Sequence, residues 1–338
     1  MNRVLAILSV AAALAVSTGT TVAANLEKIR IGLNAGSVSV AGVYIAAEKQ
    51  FFEAEGLNPE IVYFDDPTLI TAGVVSGDLD VGFLGLAAGI YNAGGNGDLK
   101  LIGIAVDEKP GFKSLAIITS AAKFAAGFQT PAGLKNKRIG INALGSSTQY
   151  AAVNIARKNG FELANSNFVP LGALQNVVTA VKAGAVDAGV VPGPLAIGAE
   201  KTGEVKIVRW VGEDAPFAVA GIFSRADDSQ REALIKFLRG YLRGVEAYDR
   251  TFQRPATDGG SKPGAEAEEL LAIIAKGARA PAETFRDALP FLNPTASIDA
   301  ANIREQIDFW KAQRMTPPSV SADTIIDAEI LTAASKGQ

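Results

Sequence analysis

The sequence predicts an α/β protein of two similar lobes, each a βαβαβ-based sheet flanked by helices, joined by a hinge that the chain crosses twice. Three observations carry this expectation. Arg30-Ile31-Gly32-Leu33-Asn34-Ala35-Gly36-Ser37 returns as Arg138-Ile139-Gly140-Ile141-Asn142-Ala143-Leu144-Gly145-Ser146, one residue longer. Val75-Ser76-Gly77-Asp78-Leu79-Asp80-Val81-Gly82 returns as Lys182-Ala183-Gly184-Ala185-Val186-Asp187-Ala188-Gly189. Both repeats keep their order at a separation of about 108 residues, so the copies stay in register. Two lobes imply a cleft between them.

The elements follow from pattern. Lys28 to Asn34 is β-rich and alternates, which predicts a strand. Gly36-Ser37-Val38-Ser39 is a turn whose serines suit capping of a helix over Val40 to Glu55, ended at Gly56. A strand over Glu60 to Phe64, a helix over Leu69 to Ser76 and a strand over Asp80 to Leu84 complete the unit, which calls for parallel strands and right-handed crossovers. The second copy parses alike: strand Lys137 to Ala143, capped turn Gly145 to Thr148, helix Gln149 to Lys158, strand Asn167 to Leu171, helix Leu174 to Ala183, strand Asp187 to Val191. Strands over Lys100 to Val106 and Ser114 to Thr119 carry the chain across, and strands over Lys206 to Val211 and Ala218 to Ser224 carry it back. Helices are expected over Ser229 to Thr251, Ala265 to Lys276, Pro281 to Ala288 and Ala300 to Lys311, with a Gly-rich loop over Asp258 to Gly264. The division expected is lobe 1 from 25–108 and 217–338, and lobe 2 from 109–216.

Residues 1–24 stand apart from this scheme. Asn2-Arg3 precedes an apolar run from Val4 to Val16, and Val22-Ala23-Ala24 offers small residues for cleavage after Ala24. The run is short for a bilayer span, so a cleaved secretion signal is expected, and with it a periplasmic location. With no Cys in the chain, a lipid-modified N-terminal cysteine and disulfides are excluded. The formal net charge of −3, with both signs interspersed, argues against nucleic acid as a partner.

Gly42-Val43-Tyr44-Ile45-Ala46-Ala47-Glu48-Lys49-Gln50-Phe51-Phe52-Glu53-Ala54-Glu55-Gly56-Leu57 resembles the first-helix signature of periplasmic solute-binding proteins of ABC importers. The branch it resembles is the nitrate/sulfonate/taurine group, also called NMT1/THI5-like. Gly77-x-x-Asp80-x-Gly82 and Gly145-Ser146-Ser147-Thr148 fit the same family, and the resemblance runs from about Ile29 to Val245. Val43 and Gln50 stand where many members carry Pro and Gly. The resemblance implies the two-lobed type II binding-protein fold, a two-crossover hinge and delivery of a captured solute to a membrane permease.

In doubly wound sheets, ligands sit beyond the carboxyl ends of strands, near helix N-termini. That rule turns the segments around Ser37 and Ser146 toward one gap. Helix N-termini with hydroxyl caps form an uncharged cradle for an anion, so Ser146, Ser147 and Thr148 are the leading candidates for holding a sulfonate or carboxylate. Ser37 and Ser39 are candidates on the same argument. Tyr44, one turn into the first helix, suits core or cleft lining. Gly85 and Leu86 after the third strand, with Pro192 and Gly193 in the second copy, close the rim. Phe112 and Phe217 flank the crossovers, placed either to stack on a flat ligand or to pack the hinge. Asp80 and Asp187 recur, but each follows a Gly by three residues at a turn, where Asp bonds nearby backbone N–H groups.

The chain has no His and no Cys, which removes the commonest general base, the thiolate nucleophile and soft metal sites. Neither a cofactor nor a metal is expected. The expectation is a monomeric, non-enzymatic binding component that captures a small organic anion, sulfonate- or taurine-like, by hinge closure and docks on an inner-membrane ABC permease. The alternatives are an aromatic carboxylate or pyrimidine thiamine precursor as cargo, and a sensory binding protein. An enzyme of the thiamine-precursor synthase type is disfavoured, since those relatives use His and a Cys-rich segment.

Overall fold

The computed structural model describes residues 26–254 and 264–336. The secretion signal expected over 1–24, and all but the last residue of the loop expected over 258–264, lie outside the described residues. Six strands build one sheet: Glu27–Asn34 (β1), Leu57–Phe64 (β2), Val81–Gly85 (β3), Leu99–Glu108 (β4), Phe217–Arg225 (β10) and Phe291–Leu292 (β11). Five build a second: Leu115–Ser120 (β5), Ile139–Ile141 (β6), Phe168–Pro170 (β7), Ala188–Pro192 (β8) and Val205–Trp210 (β9). The orders are β11-β4-β10-β3-β1-β2 and β7-β6-β8-β5-β9.

The two orders contain one motif twice. β2-β1-β3 and β7-β6-β8 are parallel triplets, and each is extended by an antiparallel strand, β10 or β5. Each added strand is the first that its sheet receives after a crossover. The chain leaves the first sheet between Glu108 and Leu115 and returns between Trp210 and Phe217. Ile29, Ile31 and Leu33 of β1 and Ile139 and Ile141 of β6 are fully buried, so matching strands anchor matching cores.

Asp80 and Asp187 perform the same local task in both copies. Asp80 Oδ2 accepts the Arg30 N–H at 2.7 Å, and Asp187 Oδ2 accepts the Arg138 N–H at 2.9 Å. Each aspartate thereby pins the strand of the first motif to the turn of the second. Arg30 also grips Asp80 with its guanidinium at 3.0 and 2.7 Å, while Lys123 pairs with Asp187. Burial pushes both carboxyls up, but these donors outweigh it and hold both below the ordinary range.

The structure departs from the sequence reading at several places. The first helix is not continuous: a 3-10 turn Val38–Val40 leads into Ala41–Glu48, and Phe51–Ala54 follows a break at Gln50. Gln50 takes φ 56°, the left-handed region that favours glycine. Ser37 sits at the N-cap position but makes no side-chain capping bond. Helices Ala88–Gly95 and Gly193–Lys201 follow β3 and β8, where only turns are expected. Their N-cap residues, Ala87 and Pro192, form no side-chain cap, so polar capping leaves no trace of either start. Over Pro281 to Ala288 the regular helix is only Glu283–Arg286.

Backbone packs on backbone at the crossovers. A Cβ on Gly193 would lie 2.0 Å from the Lys113 carbonyl oxygen, and one on Gly212 would lie 2.6 Å from that of Lys109. Gly198, in the same helix as Gly193, has nothing within 4 Å of the equivalent point. Gly193→Ala is expected to cost about 1–3 kcal/mol through overpacking, whereas Gly198→Ala should gain about 0.5–1 kcal/mol from helix propensity. Urea denaturation of the two variants checks this; equal effects would show that the crossovers have room to shift.

Candidate functional site

The parallel strands β1, β2 and β3 end at Asn34, Phe64 and Gly85, and β6, β7 and β8 end at Ile141, Pro170 and Pro192. The two lobes touch along the segments that follow these ends. The Ala88 N–H, at the start of helix Ala88–Gly95, donates to the Gly145 carbonyl at 2.9 Å. A Cβ on Gly85 would lie 3.1 Å from Ser147 Oγ, and one on Gly145 3.3 Å from Ala88 Cβ. Gly85 is exposed, so this approach is made from open space and not through core.

Helix Ser147–Lys158 sets out from this line with its three hydroxyls in different states. Ser146 is the N-cap, and its Oγ accepts the Gln149 N–H at 3.3 Å. Thr148 Oγ1 donates to Asn142 Oδ1 at 2.7 Å, so at 2.9 Å it accepts from the Ser146 hydroxyl. Both residues are buried. Gln149 is fully buried beneath them; its Oε1 accepts the Gly145 N–H at 2.7 Å and its Nε2 donates to Asn165 Oδ1 at 2.9 Å. Ser147 is half-buried and its hydroxyl has no hydrogen bond among the described residues. The backbone N–H groups of Ser147 and Thr148 also have no acceptor among them. Two free amides, a free hydroxyl and the positive end of a helix of 12 residues therefore converge beside Gly85.

The remaining candidates divide by environment. Ser37 and Ser39 are half-buried, and neither side chain is hydrogen-bonded among the described residues. Tyr44 is 3% exposed: its ring lies within 2.3 Å of where a Gly277 Cβ would be, and it stacks on Tyr63 at 6.5 Å. Leu86 is fully buried, and its N–H donates to the Val219 carbonyl at 2.8 Å. Gly193 is buried with its N–H on the Ser114 carbonyl at 2.8 Å, and Pro192 pairs with Leu115 within the sheet. Phe112 packs edge-on to Phe291 at 5.0 Å beside the first crossover. Phe217 packs on Tyr150 at 5.1 Å, and Tyr150 also meets Phe309 at 5.3 Å. In this structure these aromatic rings hold the lobe junction together, and the polar groups of the candidates left without a partner among the described residues include the hydroxyls of Ser37, Ser39, Tyr44 and Ser147 and the backbone N–H groups of Ser147 and Thr148.

Asn142, Gln149 and Tyr150 escaped the sequence reading. Gln149 leaves a usable signal, a long amide three residues after a hydroxyl cap, where it returns to bond the loop before the helix. Tyr150 leaves none, because its partners on β10 and on helix Ala300–Ala312 are remote in sequence.

The fold is that of periplasmic solute-binding proteins. The aliphatic sulphonate binding protein SsuA of Escherichia coli matches with a TM-score of 0.70 and 18% identity, covering 90% of this chain and 99% of that one. The alkanesulfonate-binding protein SsuA of Xanthomonas axonopodis pv. citri, bound to MOPS, matches with a TM-score of 0.66 and 20% identity over 90% of this chain and 99% of that one. The nitrate-binding protein NrtA of Synechocystis PCC 6803 gives 0.71 and 13%, covering 92% and 89%. No curated protein matches the chain by sequence. The NMT1/THI5-like pattern matches residues 37–248, well over half the chain, and the chain belongs to that family.

Ser146→Ala removes a helix cap and is expected to lower stability by about 0.5–2 kcal/mol. Ser147→Ala, whose hydroxyl supports nothing in the fold, should stay within about 0.5 kcal/mol of the parent. Chemical denaturation distinguishes them, and a larger loss at Ser147 would contradict the assignment of the cap.

Proposed function

We propose that this chain is the substrate-binding component of an ABC import system, capturing a small sulfonate-like organic anion between its lobes. The observation that carries the reading is the convergence at Gly85 and Ser147. There the N-terminus of a helix from each lobe meets the other, and the amides of Ser147 and Thr148 and the hydroxyl of Ser147 have no partners among the described residues. An anion's oxygens accept hydrogen bonds and supply the charge that a helix N-terminus attracts. Residues 85–89 and 142–150 contain no Lys or Arg, so the cradle holds charge through dipoles alone. Membership of the NMT1/THI5-like family and structural likeness to proteins named for sulfonates and nitrate support the same class of cargo.

In this reading residues 1–24 direct export and are removed after Ala24, leaving a monomer in the periplasm. Lobe 1 comprises 25–108 and 217–338, and lobe 2 comprises 109–216. Ser37, Ser39 and Gly85 line the lobe-1 side of the cleft, and Ser147 and Thr148 the other. Ligand contacts shared by both lobes favour the shut form by differential affinity, and that form docks on an inner-membrane permease. Nothing in the site arranges a nucleophile beside a base, so binding, not turnover, is its role.

Thermal denaturation with a panel of alkanesulfonates, taurine, nitrate, aromatic carboxylates and pyrimidines tests the reading. A cargo at 100 times its dissociation constant adds about 2.7 kcal/mol of stability. An alkanesulfonate should raise the melting temperature of the parent and raise that of Ser147→Ala less. Sulfonates without effect beside stabilising aromatic carboxylates or pyrimidines would overturn the cargo class.

A further inference from the structure

Glu108 is the last residue of β4, where the chain leaves the first sheet, and it pairs across the ladder with Phe217, where the chain returns. It therefore sits between the two crossovers. Its side chain is 2% exposed, and neither carboxyl oxygen has a hydrogen-bond partner among the described residues. Two backbone donors approach it, the N–H groups of Leu115 and Gly212, but neither meets hydrogen-bonding geometry. Both lie at the far ends of the crossovers, on the side of the second sheet. The crossovers have no slack, since Gly212 already touches the Lys109 backbone.

A buried carboxylate with no donor is costly, whereas the neutral acid is not. Burial accordingly pushes the Glu108 carboxyl up to about 8, the weak approach of the two amides opposes this, and the like charge of Asp107 adds to it. The cations nearby are otherwise engaged. On the first crossover Lys109 lies over the Phe291 ring and Lys113 over that of Trp210. On the second, Glu213 accepts the Gly111 N–H and Asp214 pairs with Arg209. Across the junction Arg157 lies over Phe309, and Glu305 acts on Tyr150.

We propose that Glu108 is a protonation-controlled hinge pin: the neutral acid stays buried in the lobe arrangement seen here, and the ionised carboxylate drives the crossovers apart to gain water, opening the lobes. The physical link is that two states of one equilibrium hold the proton with different affinity, so loss of the proton shifts the population toward the state that binds it less tightly. Binding strength at the cleft then falls as pH rises through the Glu108 transition. The inference rests on the two-crossover hinge and not on the identity of the cargo.

The test uses ligand-free protein, so it stands or falls apart from the cargo assignment. The chain has two tryptophans: Trp210 opens into the second crossover, and Trp310 lies 6.1 Å from Tyr150 at the lobe junction. Tryptophan emission followed from about pH 4 to about pH 9 should change as pH rises from the ordinary carboxyl range toward about 8 and level off beyond it, with a matching rise in the radius of gyration by small-angle X-ray scattering. Glu108→Gln should abolish both changes, and Asp107→Asn should keep them at a lower midpoint. A transition that persists in Glu108→Gln would overturn the proposal. Should that variant fail to fold, scattering of the parent protein still decides, because an unchanged radius of gyration across this range contradicts the pin.

Discussion

The chain passes between its two sheets twice, through segments packed so closely that Gly193 and Gly212 have no room for a side chain. Every other feature depends on that pair of crossings. They deliver β5 and β10 to their sheets and fix which edge of each sheet faces the other. They also bring the ends of β3 and β6 to one line, where the Ala88 amide reaches the Gly145 carbonyl. A single crossing would leave the lobes free to rotate about each other. Two restrict them to a hinge.

The duplicated architecture was legible because it is written in local terms. Gly-x-x-Asp before a strand has a mechanical meaning in both copies: the aspartate takes the N–H of the neighbouring strand's arginine. Strand alternation was equally local. What escaped lacked a local cause. Helices Ala88–Gly95 and Gly193–Lys201 begin without polar caps and are held by packing. The break at Gln50 puts a non-glycine residue at positive φ, which no spacing of apolar residues announces.

At the start of helix Ser147–Lys158, the hydroxyl cluster was legible and its division of labour was not. Ser146, Ser147 and Thr148 are equivalent as letters. Their roles are fixed by Asn142 and Gln149, which take up Thr148 and the Gly145 loop and leave Ser147 facing Gly85. The aromatic residues were harder still. Phe217 serves the lobe junction because Tyr150, itself packed on Phe309, meets it there, a contact between segments far apart in the chain. Glu108 carries no signal in the sequence beyond an acid at the end of an apolar strand; its meaning comes from two segments that enclose it without bonding it.

Capture by closure can be measured directly, because a chain without cysteine accepts labels at chosen sites only. Asp65 after β2 and Ala173 after β7 are exposed and stand at equivalent places in the two copies. With spin labels at Asp65→Cys and Ala173→Cys, electron-electron distance measurement reports how far apart the lobes stand. A saturating alkanesulfonate that raises the melting temperature should shorten and narrow the distance distribution. A distribution left unchanged by such a stabilising ligand would contradict closure around the guest.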